Sequence, residues 1–141
     1  MRIEQKILED ILSRVQKPGR YTGNELNVIV KEDAPFRMAL SYPDLYEVGM
    51  SNNGIRILYD IVNAMPDAAC ERVFAVAADF EAALRETGVP LHTLETRTPL
   101  QELDLLGFNV SHELLCTTIL QILALGGIPP RRADRAGGDP V

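Results

Sequence analysis

The chain is poor in cysteine, histidine and clustered positive charge, and each shortage removes a class of function. Two cysteines, Cys70 and Cys116, in 141 residues cannot staple a disulfide scaffold and fit a reducing compartment, so a cytoplasmic location is expected. The two histidines, His92 and His112, share no Cys/His spacing of a zinc site, and no metal site is expected. With 14 Lys and Arg against 20 Asp and Glu, the net charge is -6. That balance argues against a nucleic-acid partner and against anionic membrane surfaces. The only basic cluster is Arg131, Arg132 and Arg135, and a few arginines in a polar tail are usually just solvated. The amino terminus MRIEQKILEDIL is charged and amphipathic, without a signal-peptide core. The most apolar stretch, Leu114 to Leu125, carries Cys, Thr and Gln and is too short to cross a bilayer. No internal repeat or low-complexity run is present.

What remains is an apolar content of 46%, enough for one domain with a real core. The organising stretch is FRMALSYPDLYEVGMSNNGIRILYDIVNAM, residues 36–65. Phe36, Met38, Leu40 and Tyr42 alternate against Arg37, Ala39 and Ser41, the period of a strand. Pro43-Asp44 breaks it, and from Ile55 the spacing of Leu58, Tyr59, Val62 and Met65 is that of one buried helix face. A first helix is predicted over Ile3–Val15, ended by Lys17-Pro18-Gly19. Asn24–Val30 reads as a strand, joined to the next by a short turn and so an antiparallel hairpin partner. Beyond the organising helix, Glu71–Val76 reads as a second core strand. Asp79 would N-cap a helix over Phe80–Glu86, and Gly88 would C-cap it. Leu91–Leu94 suggests an edge strand and Gln101–Asp104 a turn. Leu105–Val110 is the third core strand, leading into an apolar helix over Glu113–Leu125.

The order β-α-β-α-β-α implies parallel strands. The expectation is an α/β fold, a truncated flavodoxin-like parallel sheet of three core strands behind an amino-terminal helix and strand. Residues 1–35 would be the extension, 36–130 a partial Rossmann-like domain, and 131–141 a flexible tail towards a missing continuation. A sheet of this kind usually runs to a fourth and fifth strand, so the chain reads as a piece of something longer. The third strand would then be a bare edge and one side of the last helix exposed, and a homodimer through that edge is expected.

Ligands in such sheets bind beyond the carboxyl ends of the strands, which is where the loop Asp44–Gly54 lies. Backbone amides before Ile55, with Ser51, Asn52 and Asn53, could cradle a phosphate or amide. The same residues serve equally as helix caps, with Gly49 and Gly54 letting the chain turn. Neither G-x-G-x-x-G nor Gly-Lys-Ser/Thr is present. His112 and Ser111 stand at the third strand's exit, Thr117 and Thr118 just after it, each either a ligand contact or an ordinary helix-start residue. Cys116, in the first turn of an apolar helix, is either a reactive thiol or, as so apolar a helix favours, an inert packed one. Asp44 with Glu47 could act as an acid/base pair or be solvated, and no complete catalytic set is visible.

Read from Asp44, D-L-Y-E-V-G resembles the D-x-H-x-x-G signature of cobalamin-binding domains, with Tyr46 in the histidine place. G-F-N-V-S-H-E-L-L-C-T-T-I resembles the third strand and helix start of the same domains, where a serine near Ser111 faces the corrin tail. More closely, P-D-L-Y-E-V-G-M-S-N-N-G-I-R-I-L-Y and R-V-Q-K-P-G-R-Y-T-G-N-E-L-N are similar to the amino-terminal region of bacterial B12-binding-domain radical SAM proteins. The resemblance covers essentially the whole chain. It implies a corrinoid-binding-like accessory domain, not catalytic alone, within a radical SAM enzyme. Cobalamin would then meet Asp44, Tyr46, Gly49, Ser51, Asn52, Ser111, His112 and Thr117. The [4Fe–4S] cluster and S-adenosylmethionine would belong only to a downstream radical SAM domain, the expected partner in the same parent chain. Two departures stand against the full pattern. Tyr46 is a poor substitute for an axial imidazole, and the strands that complete the tail pocket are absent. Two further readings therefore stay open, a structural or dimerisation domain with a vestigial vitamin site and a small flavodoxin-like nucleotide-binding module.

Overall fold

The computed structural model describes residues 3–141. Three parallel strands form one sheet in the order β2-β1-β3, with β1 at Phe36–Ser41, β2 at Ala68–Arg72 and β3 at Leu105–Phe108. Phe36 pairs with Ala68 on one side of β1, and Met38 pairs with Leu105 on the other. The expected truncated flavodoxin-like α/β sheet is therefore present.

Strand alternation divides β1 between two cores. Met38 and Leu40 pack with Ile55 and Tyr59 of the helix α3, Asn53–Asn63, and with Cys70 of β2. Ala39 faces the other way, into a larger cluster. That cluster is built from α1 (Gln5–Ser13), α4 (Ala78–Thr87) and α5 (Cys116–Leu125), through Leu8, Ile11, Phe80, Leu84 and Ile122. A one-turn helix α2, Tyr46–Met50, fills the loop after β1.

Several boundaries differ from the sequence reading. No strand forms over Asn24–Val30, because both edges of β1 are already taken. Side chains satisfy the backbone there instead. The Ile29 N–H and carbonyl both bond the Tyr59 hydroxyl, and the Arg37 guanidinium donates to the Lys31 and Glu32 carbonyls. The second strand begins three residues earlier than Glu71, since its register is set by Phe36 opposite Ala68. Leu91–Leu94 yields only a bridge between His92 and Pro99. Its turn nonetheless shields β2, with the Leu94 N–H donating to the Arg72 carbonyl at 2.9 Å. Asp79 lies inside the first turn of α4 and accepts from the Gln16 N–H at 2.8 Å, so it ties α1's exit to α4 rather than capping its own helix. Gly88 does close α4, in the left-handed conformation at φ 68°. Among the described residues no helix is long and apolar enough to cross a membrane.

Candidate functional site at the carboxyl ends of the strands

From β1 the chain crosses to β2 on one side and later to β3 on the other. The connections therefore diverge between β1 and β3, the switch point at which open α/β sheets leave a crevice. The two mouths beside β1 are built differently.

The β1/β2 mouth is closed. A strap formed by residues 17–25 lies over it. Tyr21 stacks on Phe80 with ring centroids 3.8 Å apart, and its hydroxyl accepts from the Ala77 N–H at 3.1 Å. Arg20 and Lys17 reach Glu47 at 2.9 and 3.7 Å, and the Arg20 hydrogen bond holds the Glu47 carboxyl below its ordinary value. That pairing removes Glu47 from any acid/base role with Asp44. The Asp44 carboxylate accepts from the next residue's N–H at 2.7 Å, and its carbonyl accepts from the Ala75 N–H at 2.9 Å. The Tyr46 hydroxyl donates to Glu25 at 2.9 Å, and its ring meets Phe74 edge-on. Desolvation first, then Glu25, pushes the Tyr46 phenol up to about 12, so it stays protonated. Gly49 is required by packing: a Cβ there would lie 2.2 Å from the Phe74 ring.

The β1/β3 mouth is spanned by two polar pairs. The Tyr42 and Ser111 hydroxyls lie 2.8 Å apart. Asn109 donates its side-chain amide to Asn52 Oδ1 at 3.2 Å, and the same oxygen accepts from the Ile55 N–H at 3.0 Å, capping α3. Gly54 makes room, since a Cβ there would sit 3.0 Å from the Asn109 amide nitrogen. All four side chains are neutral hydrogen-bonding groups. Ser41, the last residue of β1, is fully buried, and its hydroxyl is the one buried side-chain polar atom among the described residues without a partner.

The anticipated site residues thus divide into three groups. Asn52 and Ser111 come together at the β1/β3 mouth, joined by Tyr42 and Asn109, which sequence reasoning did not single out. Asp44, Tyr46 and Gly49 belong to the closed mouth. Ser51 bonds the Glu47 carbonyl at 2.6 Å on the surface, and Thr117 bonds the Leu114 carbonyl at 3.2 Å. His112 is exposed at the N-cap of the turn before α5 and makes no side-chain cap.

A buried ionic network that the sequence pattern does not announce lies behind the closed mouth. Arg72 donates to Glu95 at 2.6 Å and Glu25 at 3.4 Å and lies 4.4 Å over the Tyr59 ring. Burial opposes its charge, yet the Glu95 carboxylate holds its pKa above the ordinary value. Beside it Glu71 accepts from Arg37, Thr93 and Thr96. The adjacent charges of Glu71-Arg72 in an otherwise apolar stretch were the available signal. Cys70 is packed beside this network, and burial pushes its thiol up to about 12, which marks it as inert.

The donor set fits part of a corrinoid. Paired hydroxyls and amides suit the carboxamide-bearing periphery of the macrocycle and its tail. Axial coordination from the β1 loop does not fit, since position 46 carries a phenol that desolvation first, and Glu25 second, keeps protonated. Among the described residues no group of three or more His, Cys, Asp or Glu side chains could hold a metal ion.

Residues 54–141 match the family described as "Radical SAM proteins, N-terminal". No curated protein matches the chain, and no solved structure matches it.

Proposed function

The chain belongs to the family of radical SAM protein amino-terminal regions, and on that premise we propose that it is a non-catalytic accessory domain that receives a corrinoid at its β1/β3 mouth. The observation that carries this reading is the double polar span there, Tyr42 to Ser111 and Asn52 to Asn109. These groups sit where a parallel sheet ordinarily takes its ligand. Their neutrality suits amide groups and gives little purchase to phosphate, which disfavours the nucleotide-binding alternative.

In this reading Ser111, Tyr42, Asn52 and Asn109 bind and orient the ligand's polar periphery, and His112 and Thr117 border the same exit. When bound, the corrinoid supplies a cobalt centre able to carry an alkyl group. The [4Fe–4S] cluster and S-adenosylmethionine belong to a radical SAM domain elsewhere in the parent protein, which is proposed to be cytoplasmic.

Hydroxocobalamin retention by equilibrium dialysis, together with the visible spectrum, tests the proposal on this chain and on the full-length protein. The expected result is retention with a shifted visible band and no signature of imidazole ligation from this domain. Ser111→Ala combined with Asn109→Ala should lower retention about tenfold or more, the loss of two modest hydrogen-bonding groups. No retention by either protein would sink the corrinoid half. A second reading, a supporting domain whose vitamin site is vestigial, is favoured by one specific observation, the withdrawal of Tyr46 to Glu25.

A further inference from the structure

The helix α3 is apolar on more than its inner face. Ile55 and Tyr59 are buried against the sheet. On the outer side Ile57, Leu58 and Ile61 are 59%, 44% and 51% exposed, and Met65, just past the helix end, is 49% exposed. Their spacing sets the four on one stripe. The other long helices pack into the cluster on the opposite face of the sheet, so none of them covers it. The outward sides of α1 and α4 are built differently. Each carries an acid one turn before an arginine, Asp10 with Arg14 at 2.6 Å and Glu81 with Arg85 at 2.7 Å, the favourable order for a pair on one helix. In α3 the order is reversed, Arg56 before Asp60. Both residues are exposed, and among the described residues neither side chain has an ion-pair or hydrogen-bond partner.

We propose that this stripe is a self-association surface, covered by α3 of a second copy of the chain about a two-fold axis that crosses the helix near Leu58. Such an axis runs the two helices antiparallel and makes every contact twice. Arg56 and Asp60 stand at equal distances on either side of Leu58. Arg56 of one copy therefore faces Asp60 of the other, and the reverse pair forms by symmetry. Charges that stay apart within one helix are matched between two, along the border of an apolar seam. That self-complementary pattern selects a second copy as the occupant. The inference is independent of corrinoid binding.

Sedimentation velocity and light-scattering mass from about 1 µM to about 1 mM chain test it. A monomer–dimer equilibrium is expected, weakening as salt rises. Ile61→Glu should raise the dissociation constant about 30-fold or more. Arg56→Asp sets acid against acid across the axis, and Asp60→Arg sets base against base, so each variant alone should associate about tenfold or more weakly. Mixed in equal amounts, those two variants present opposite charges and should associate with each other at least as tightly as wild type does with itself. Circular dichroism reports whether each variant folds, and Ile57→Glu, at the more exposed position, replaces Ile61→Glu if that one does not. A chain that stays monomeric throughout the range would overturn the proposal. So would a dimer indifferent to these substitutions, which would put the contact at the β3 edge or elsewhere, and so would a mixture that associates no better than its components.

Discussion

The Tyr46 hydroxyl donates to a carboxylate oxygen of Glu25 at 2.9 Å, and this bond sets the face that the β1 loop turns outward. Glu25 belongs to the strap and also meets Arg72 at 3.4 Å. One carboxylate therefore ties the amino-terminal extension to both the loop and the sheet.

The first prediction concerns that bond. With its folded value raised from 10 to about 12, the protonated phenol contributes stability that is complete below about pH 10 and is lost as pH rises through about 12. Glu25→Gln removes the negative neighbour and should move Tyr46 ionisation downward. An ultraviolet phenolate titration, with Tyr46→Phe to assign the transition, checks it. An unchanged late transition in Glu25→Gln would show that desolvation alone sets the value.

Glu95 gives the second. Burial, only partly offset by Arg72, pushes its carboxyl from 4.5 up to about 7. Three carboxylates, Glu25, Glu71 and Glu95, share this interior with two guanidiniums, Arg37 and Arg72, so holding a proton is favourable. Because the folded value is raised, the contribution is complete below about 4.5 and is lost as pH rises through about 7. Urea denaturation at pH 5 and pH 8 should show a loss on the order of 1–3 kcal/mol at the higher pH. Glu95→Gln should flatten that difference.

Arg72 is the counterpart. Arg72→Met strands buried carboxylates and should cost about 3–5 kcal/mol. Adding Glu95→Gln should recover part of it. A double variant as unstable as the sum of the singles would mean that the two side chains do not couple.

The sheet was legible because β1 announces itself twice, by strict alternation from Phe36 to Tyr42 and by the helix spacing that starts at Ile55. Parallel order followed from helices between strands. The false strand at Asn24–Val30 has good β composition, and what defeats it is tertiary: β1 has no free edge, and Tyr59 and Arg37 take over the local backbone groups. At the site, Asn52 and Ser111 were readable as polar residues at strand exits. Their partners Tyr42 and Asn109 were not, because a pair separated by 69 residues in sequence is made only by the register of β1 against β3. Tyr46 was recognisable by position in a motif, whereas its direction depends on Glu25, a residue in a segment without periodicity.

Gly49 offers a packing test. Its absent Cβ would overlap the Phe74 ring at 2.2 Å, so Gly49→Ala should destabilise by about 1–3 kcal/mol through overpacking. Phe74→Leu in the same chain should relieve most of that cost. If the double variant shows no relief, the glycine serves the backbone of α2 rather than the ring.

Ser41 supplies the last prediction, and it runs against the usual direction of core substitution. Its hydroxyl is fully buried and has no partner among the described residues, so the fold bears an uncompensated desolvation penalty there. Ser41→Ala removes the polar atom while keeping the Cβ in place and the main-chain bond from the Asn109 N–H at 2.9 Å. Thermal and urea unfolding should therefore show no loss, or a gain of up to about 1 kcal/mol. A loss of more than about 1 kcal/mol would mean that the hydroxyl has an ordered partner in solution.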